Sequence, residues 1–185
     1  MTTTGPACVH ALLADGTTIR IRCPVTGDRA AVRRLYEEMS DENLRLRFFS
    51  LSRSSARQAA ERVAGPPRPG CGALVAEHGG RLIGVAEYEA GPDQGTAEVA
   101  LAVADDWHHR GVATLLLEHL ADIARRAGIT AFTADALAEN VEVLRVFRDL
   151  GLRIRRRFDG PEVHCVVELT EDETYVRAVD TRDRL

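Results

Sequence analysis

At 185 residues, 45% of them hydrophobic, the chain is long enough for one well-buried domain and short for two. Its 28% charged residues and formal net charge of −4 speak against a nucleic-acid binder, which normally carries a basic excess. No run approaches the ~18 consecutive apolar residues of a membrane span, so no membrane is expected as a partner either.

Residues 1–14 read as a poorly specified lead-in without the basic region of a signal peptide. Thr17 to Arg22 alternates at period two and predicts an edge or half-buried strand, ended by Pro24. Asp28 is placed to cap a helix whose Val32, Leu35, Tyr36 and Met39 share one apolar face. Ser40, followed by Asp41 and Glu42, starts a short second helix through Leu44, Leu46, Phe48 and Phe49, its acids at the end the macrodipole favours. A third helix spans roughly Ser55 to Val63. The run Gly65-Pro66-Pro67-Arg68-Pro69-Gly70 is a loop, not a domain boundary, because neither side holds enough apolar material for its own core.

From Cys71 the chain turns to strands. Ala73–Glu77 and Arg81–Ala86 flank Gly79-Gly80, strong hairpin chemistry. Ala97–Val103 is the next strand, followed by a helix from Val112 to Ala127 docked through Val112, Leu115, Leu116, Leu120, Ile123 and Ala127, with His119 and Arg125 in solvent. Ile129–Leu137 is a strand, Asn140–Leu150 a helix ending at Gly151, and Arg153–Phe158 with Val163–Leu169 a closing hairpin. The tail, residues 171–185, mixes charges and reads as loosely ordered. The order is that of one α/β domain over residues 15–170 with a mixed sheet. Cys8, Cys23, Cys71 and Cys165 are scattered without metal-ligand spacing, so no metal is expected; reduced, mostly buried thiols in a cytoplasmic protein are the better reading.

The chemistry concentrates between Ala97 and Gly128. There a buried strand leads through a turn into the loop His108-His109-Arg110-Gly111-Val112-Ala113, which opens an amphipathic helix. Such a loop points free backbone N–H groups and the positive helix end at an anion, usually a phosphate. Gly111 removes a Cβ from the approach, Ala113 keeps the next turn slim, and His109 and Arg110 add side-chain charge. Alternation puts Glu98, Ala100 and Ala102 on one strand face and Val99, Leu101 and Val103 on the other. A half-buried Glu98 beside small apolar residues would have its pKa raised by desolvation, as a general base working near neutrality requires. The alternative is a solvated glutamate on an exposed strand face.

His108-x-x-Gly111-x-Ala113, between its strand and its helix, resembles the Gln/Arg-x-x-Gly-x-Gly/Ala acetyl-CoA loop of the GNAT N-acetyltransferases. The segment from Asn140 through Phe147 to Gly151-Leu152 is similar to that family's second cofactor segment, and the likeness runs from Thr17 to Leu169. The resemblance implies the GNAT fold, a single α/β domain whose central mixed, mostly antiparallel twisted sheet has about six to seven strands flanked by about four to five helices. It implies acetyl-CoA as cosubstrate. Leu101, Ala102 and Val103 would line the pantetheine, with the Val103 N–H polarising the thioester carbonyl. His108, His109, Arg110, Gly111, Val112, Ala113 and Thr114 would hold the pyrophosphate, Asn140 would meet the pantetheine arm, and Phe147 would line the thiol end. Glu98 would be the general base. Two departures stand out: His108 replaces Gln or Arg, and Phe147 stands where many relatives have a proton-donating Tyr.

Asp15 to Arg22 and Ser40-Asp41-Glu42-Asn43-Leu44-Arg45-Leu46-Arg47-Phe48-Phe49 resemble the bacterial Pat-type protein lysine acetyltransferases, whose frequently attached regulatory domain is not expected within 185 residues. That likeness implies transfer to the lysine ε-amine of proteins such as acyl-CoA synthetases, by a monomer or homodimer. The runners-up are acetylation of a small amine, such as an amino acid, polyamine or antibiotic, and a non-catalytic acyl-CoA sensor. All 24 basic residues are arginine. GC-rich coding is the favoured reason; the other is that an enzyme modifying lysines gains from offering none.

Overall fold

The computed structural model describes residues 8–48 and 53–170. The packing of Phe48, the position of Phe49, residues 1–7 and the tail 171–185 lie outside what it describes. In chain order the elements are β1 (Val9–Leu12), β2 (Thr18–Arg22), α1 (Arg29–Glu37), α2 (Asp41–Phe48), α3 (Arg53–Val63), β3 (Cys71–His78) and β4 (Arg81–Ala90). There follow β5 (Thr96–Val103), α4 (Val112–Arg126), β6 (Ala131–Leu137), α5 (Val141–Asp149), β7 (Ile154–Asp159) and β8 (Glu162–Glu168). All eight strands form one sheet in the order β1-β2-β3-β4-β5-β6-β8-β7, and only β5 and β6 run parallel. Among the described residues no helix is long and apolar enough to cross a membrane.

The sheet has one strand more than the expected maximum. Val9–Leu12, inside the segment read as a lead-in, pairs antiparallel with β2 and takes the edge position. β2 therefore lies inside the sheet, with Ile19 and Ile21 buried. Gly79 and Gly80 both adopt positive φ, +56° and +79°, as a two-residue hairpin turn of the twist-compatible kind requires. Asp28 precedes α1 but does not cap it through its side chain. Its carboxylate instead accepts from Arg22 (2.7 and 2.8 Å) and from the Val25 N–H (2.7 Å), and the Arg22 guanidinium holds it below the usual carboxylate range.

Helices cover both faces. α1 packs on α3 and β4, while α4 packs on β3, β4 and β5 on the other side. α4 buries Val112, Leu116, Leu117, Leu120, Ala121 and Ala124, the valine and each leucine contributing about 1.5–3 kcal/mol of transfer free energy. Arg125 is half-buried rather than solvated and donates to the Leu169 carbonyl and Asp122, latching α4 to the end of β8. Of the four free thiols only Cys165 is buried, and Cys8 is exposed, contrary to the expectation of mostly buried cysteines.

Gly84 sets how closely α4 approaches. A Cβ there would lie 2.9 Å from Leu116 Cδ1 and 3.2 Å from Val112 Cγ1. Gly84→Ala is expected to destabilise the fold by about 1–3 kcal/mol and to push the start of α4 outward. Denaturant melts check the first effect; an unchanged midpoint would show that α4 is not wedged against β4.

Candidate active site

β5 and β6 pair only from Thr96–Glu98 to Ala131–Thr133. Beyond Glu98 the two strands part, and the rest of β5 faces a cleft of about 770 Å³. The Ala104 N–H donates to the Ile83 carbonyl at 2.9 Å, which fixes the parity of the ladder. The backbone groups of Ala100 and Ala102 therefore point to β4, and those of Val99, Leu101 and Val103 point into the cleft. Ala102 lines the cleft with a small, buried side chain, and the backbone pairing falls to Leu101 and Val103.

The Val103 carbonyl is already engaged, accepting from Asn43 Nδ2 (3.1 Å) and His108 Nε2 (3.0 Å). Its N–H and the Leu101 peptide groups remain directed at the cleft. His108 thus anchors the strand end rather than reaching for a phosphate. Asn43 also donates to Asp105 Oδ1 (2.7 Å), whose other oxygen accepts from the Ser40 N–H (2.9 Å). Burial pushes the Asp105 carboxyl up, but these hydrogen bonds outweigh it and hold it below the usual carboxylate range. This knot joins α2 to the end of β5.

The loop into α4 has His109 at φ +61° and Gly111 at φ +91°. Gly111 is needed for that conformation; a Cβ would meet nothing within 4 Å, so crowding is not the reason. The turn aims the free N–H groups of Val112, Ala113 and Thr114 at the cleft, where the helix end favours negative charge. Arg110 departs from expectation. Its guanidinium donates to Asp15 and Thr17 (2.9 Å each) and stacks 4.0 Å from the centre of the buried Trp107 ring, so its side chain does not line the cleft. Hydrogen bonds from Thr17 and Arg110 hold the Asp15 carboxyl at about 2. His109 faces Glu142 on α5, with Nδ1 and Oε2 3.0 Å apart.

The opposite wall is α5. Asn140 caps it, its Oδ1 accepting from the Val143 N–H at 3.2 Å, which leaves the side-chain amide for a ligand. Buried Phe147 lines the same wall.

On the α2 side the register places Glu89 opposite Glu98 and Glu87 opposite Ala100, so three carboxylates share one sheet face. Glu87 accepts from Arg47 (3.1 Å) and Arg62 (3.2 Å), and Glu89 pairs with Arg68. Glu98 lines the cleft and has no hydrogen-bond or ion-pair partner among the described residues, so its carboxylate is available to a substrate. It is exposed, which removes the burial on which the expectation of a desolvated base rested. Cover on this face increases along β5: Glu98 is exposed, Ala100 half-buried and Ala102 buried.

The site thus brings Glu98, Leu101, Ala102, Val103, His108, His109, Gly111 to Thr114, Asn140 and Phe147 to one cleft, with the Arg110 side chain turned elsewhere and that of His108 bonded to the Val103 carbonyl. Sequence reasoning missed Asn43, Asp105, Arg47 and Glu87. Asn43 and Arg47 fall inside the Ser40–Phe49 motif, so a signal for α2 existed, but their partners lie 60 to 62 and 40 positions away.

A family model described as the acetyltransferase (GNAT) family matches residues 32–152. The GNAT domain of S. lividans PAT superposes with a TM-score of 0.79 at 31% identity, over 87% of this chain and 96% of that one. An acetyltransferase of Pseudomonas aeruginosa is 29% identical over 142 residues, 75% of this chain and 74% of its own length. At 17% identity, the PaiA N-acetyltransferase of Thermoplasma acidophilum in complex with coenzyme A shares the fold, with a TM-score of 0.62 over 82% of this chain and 99% of that one.

Proposed function

The chain belongs to the acetyltransferase (GNAT) family, and from that premise we propose that it moves the acetyl group of acetyl-CoA to the lysine ε-amine of protein substrates. The observation that carries the acceptor is the likeness to the S. lividans PAT domain, 31% identical over nearly the whole of that domain. The unpaired β5 edge and the N–H groups at the start of α4 suit a pantetheine arm and a pyrophosphate. We place the reaction in the cytoplasm.

Acetyl-CoA supplies an acyl group activated as a thioester. Glu98, directly or through one water, takes the ammonium proton, since a lysine of pKa about 10.4 is neutral only about once in several thousand at pH 7. The Val103 N–H donates to the carbonyl oxygen as it gains charge. Phe147 has no proton to give, so CoA leaves as thiolate, which a thiol pKa near 8.5 allows. Both substrates share the cleft, with transfer direct from one to the other.

Thiol release from acetyl-CoA, compared across lysine peptides, an acyl-CoA synthetase and small amines, tests this reading. Protein or peptide lysine is expected to give the highest kcat/KM. A clear preference for a small amine would overturn it, and no release with any acceptor would favour a sensor.

A further inference from the structure

We propose that Arg145 forms a subsite for the 3′-phosphate of CoA, which gives this protein its discrimination between CoA and 3′-dephospho-CoA. The inference rests on acetyl-CoA as cosubstrate and is independent of which amine accepts the acetyl group.

The cofactor half of the cleft holds few cations that are not already engaged. His108 Nε2 meets the Val103 carbonyl and His109 meets Glu142. Arg110 is held by Asp15, Thr17 and the Trp107 ring. Arg47 lines the α2 side and is bonded to Glu87. The first turn of α4 carries no acidic residue, and its basic residues lie in the last turn, far from the loop. The pyrophosphate must therefore be met mainly by backbone N–H groups, as the geometry of the loop provides.

Arg145 is different. It lines the cleft from α5, is exposed, and has no hydrogen-bond or ion-pair partner among the described residues. It follows Glu142 by one helical turn, and Glu142 contacts His109, so this face of α5 lies against the phosphate loop. Glu142 and Asp149 flank it on the same wall. Arg145 is the cation that α5 turns into the cleft; Arg148, on the same helix, does not line it and pairs with Asp149. A guanidinium fork matches a terminal phosphate dianion in two parallel hydrogen bonds. The 3′-phosphate is the terminal dianion of CoA and projects from its adenosine end, so an exposed arginine at the mouth of the cleft meets it without the desolvation a buried one would require.

Equilibrium titration of CoA and of 3′-dephospho-CoA against the wild type, Arg145→Ala and Arg145→Gln separates the terms. The wild type is expected to bind CoA about tenfold more tightly than 3′-dephospho-CoA. Both variants should bind CoA only as tightly as the dephosphorylated ligand, whose own Kd stays at the wild-type value and so reports an intact cleft. Equal weakening of both ligands by both variants, weakening of neither, or a wild type that does not distinguish the ligands would each overturn the proposal. No acceptor is present in these titrations, so a failed acceptor assignment leaves the result unaffected.

Discussion

Replacing Glu98 by Gln is expected to lower kcat by about 10²- to 10⁴-fold and to leave the Kd for acetyl-CoA within about twofold. The reason is positional. Glu87 and Glu89 share its sheet face but are held by arginines, whereas Glu98 is unpaired at the mouth of the cleft. Glutamine keeps the volume and the hydrogen-bonding reach but cannot take a proton. Turnover in the variant then depends on amine that has already lost its proton in solution, a fraction that grows about tenfold per pH unit below a pKa near 10.4. The deficit should be deepest at low pH and shrink as pH rises. A Glu98→Gln enzyme with the wild-type pH–rate profile would remove Glu98 as the base, whatever its absolute rate.

The second large effect is expected at Glu87. Arg47 and Glu87 have side chains only 14% and 13% exposed, and Arg62, at 38%, donates to the same carboxylate oxygen. Fully buried Tyr36 adjoins the group, its hydroxyl pushed up to about 12 by burial. One carboxylate on β4 thus ties α1, α2 and α3 together. Removing it by Glu87→Ala takes the shared carboxylate away from two guanidiniums, one of them mostly hidden from solvent, which costs about 3 kcal/mol. α2 depends on this tie because Leu44 is its one buried apolar residue among those described. The acceptor KM should therefore rise several-fold while the acetyl-CoA Kd, set by the α4 loop and β5, stays near its wild-type value. Urea melts and initial rates measure the two effects. A loss of less than about 0.5 kcal/mol would mean that the cluster behaves as an ordinary surface ion pair.

Much of the cofactor side of this site can be read from local pattern. The apolar run into Val103, the glycine at the αL position of Gly111 and the helix that follows are all determined within 30 residues of one another, and the structure has them as expected. Asn140 at the start of α5 and Gly151 at its end are local signals of the same kind. The errors came from long-range terms. Alternation correctly placed Glu98 on a face with Ala100 and Ala102 but could not say how far each is covered, and the structure exposes Glu98 while it buries Ala102. Arg110 looked like a phosphate ligand because its partner, Asp15, is 95 positions away. Val9–Leu12 escaped notice because a four-residue strand carries too little alternation to read, and its order comes from pairing with β2.

The lysine-free composition makes one measurement unusually direct. Intact-mass spectrometry follows the enzyme, acetyl-CoA and a lysine-bearing protein acceptor through turnover. Direct transfer from acetyl-CoA to a protein lysine predicts acetyl increments on the acceptor alone, mapped to lysine, with the enzyme's mass unchanged at every time point. An acetyl increment on the enzyme that is then chased into the acceptor, or acetylation confined to added small amines, would contradict it.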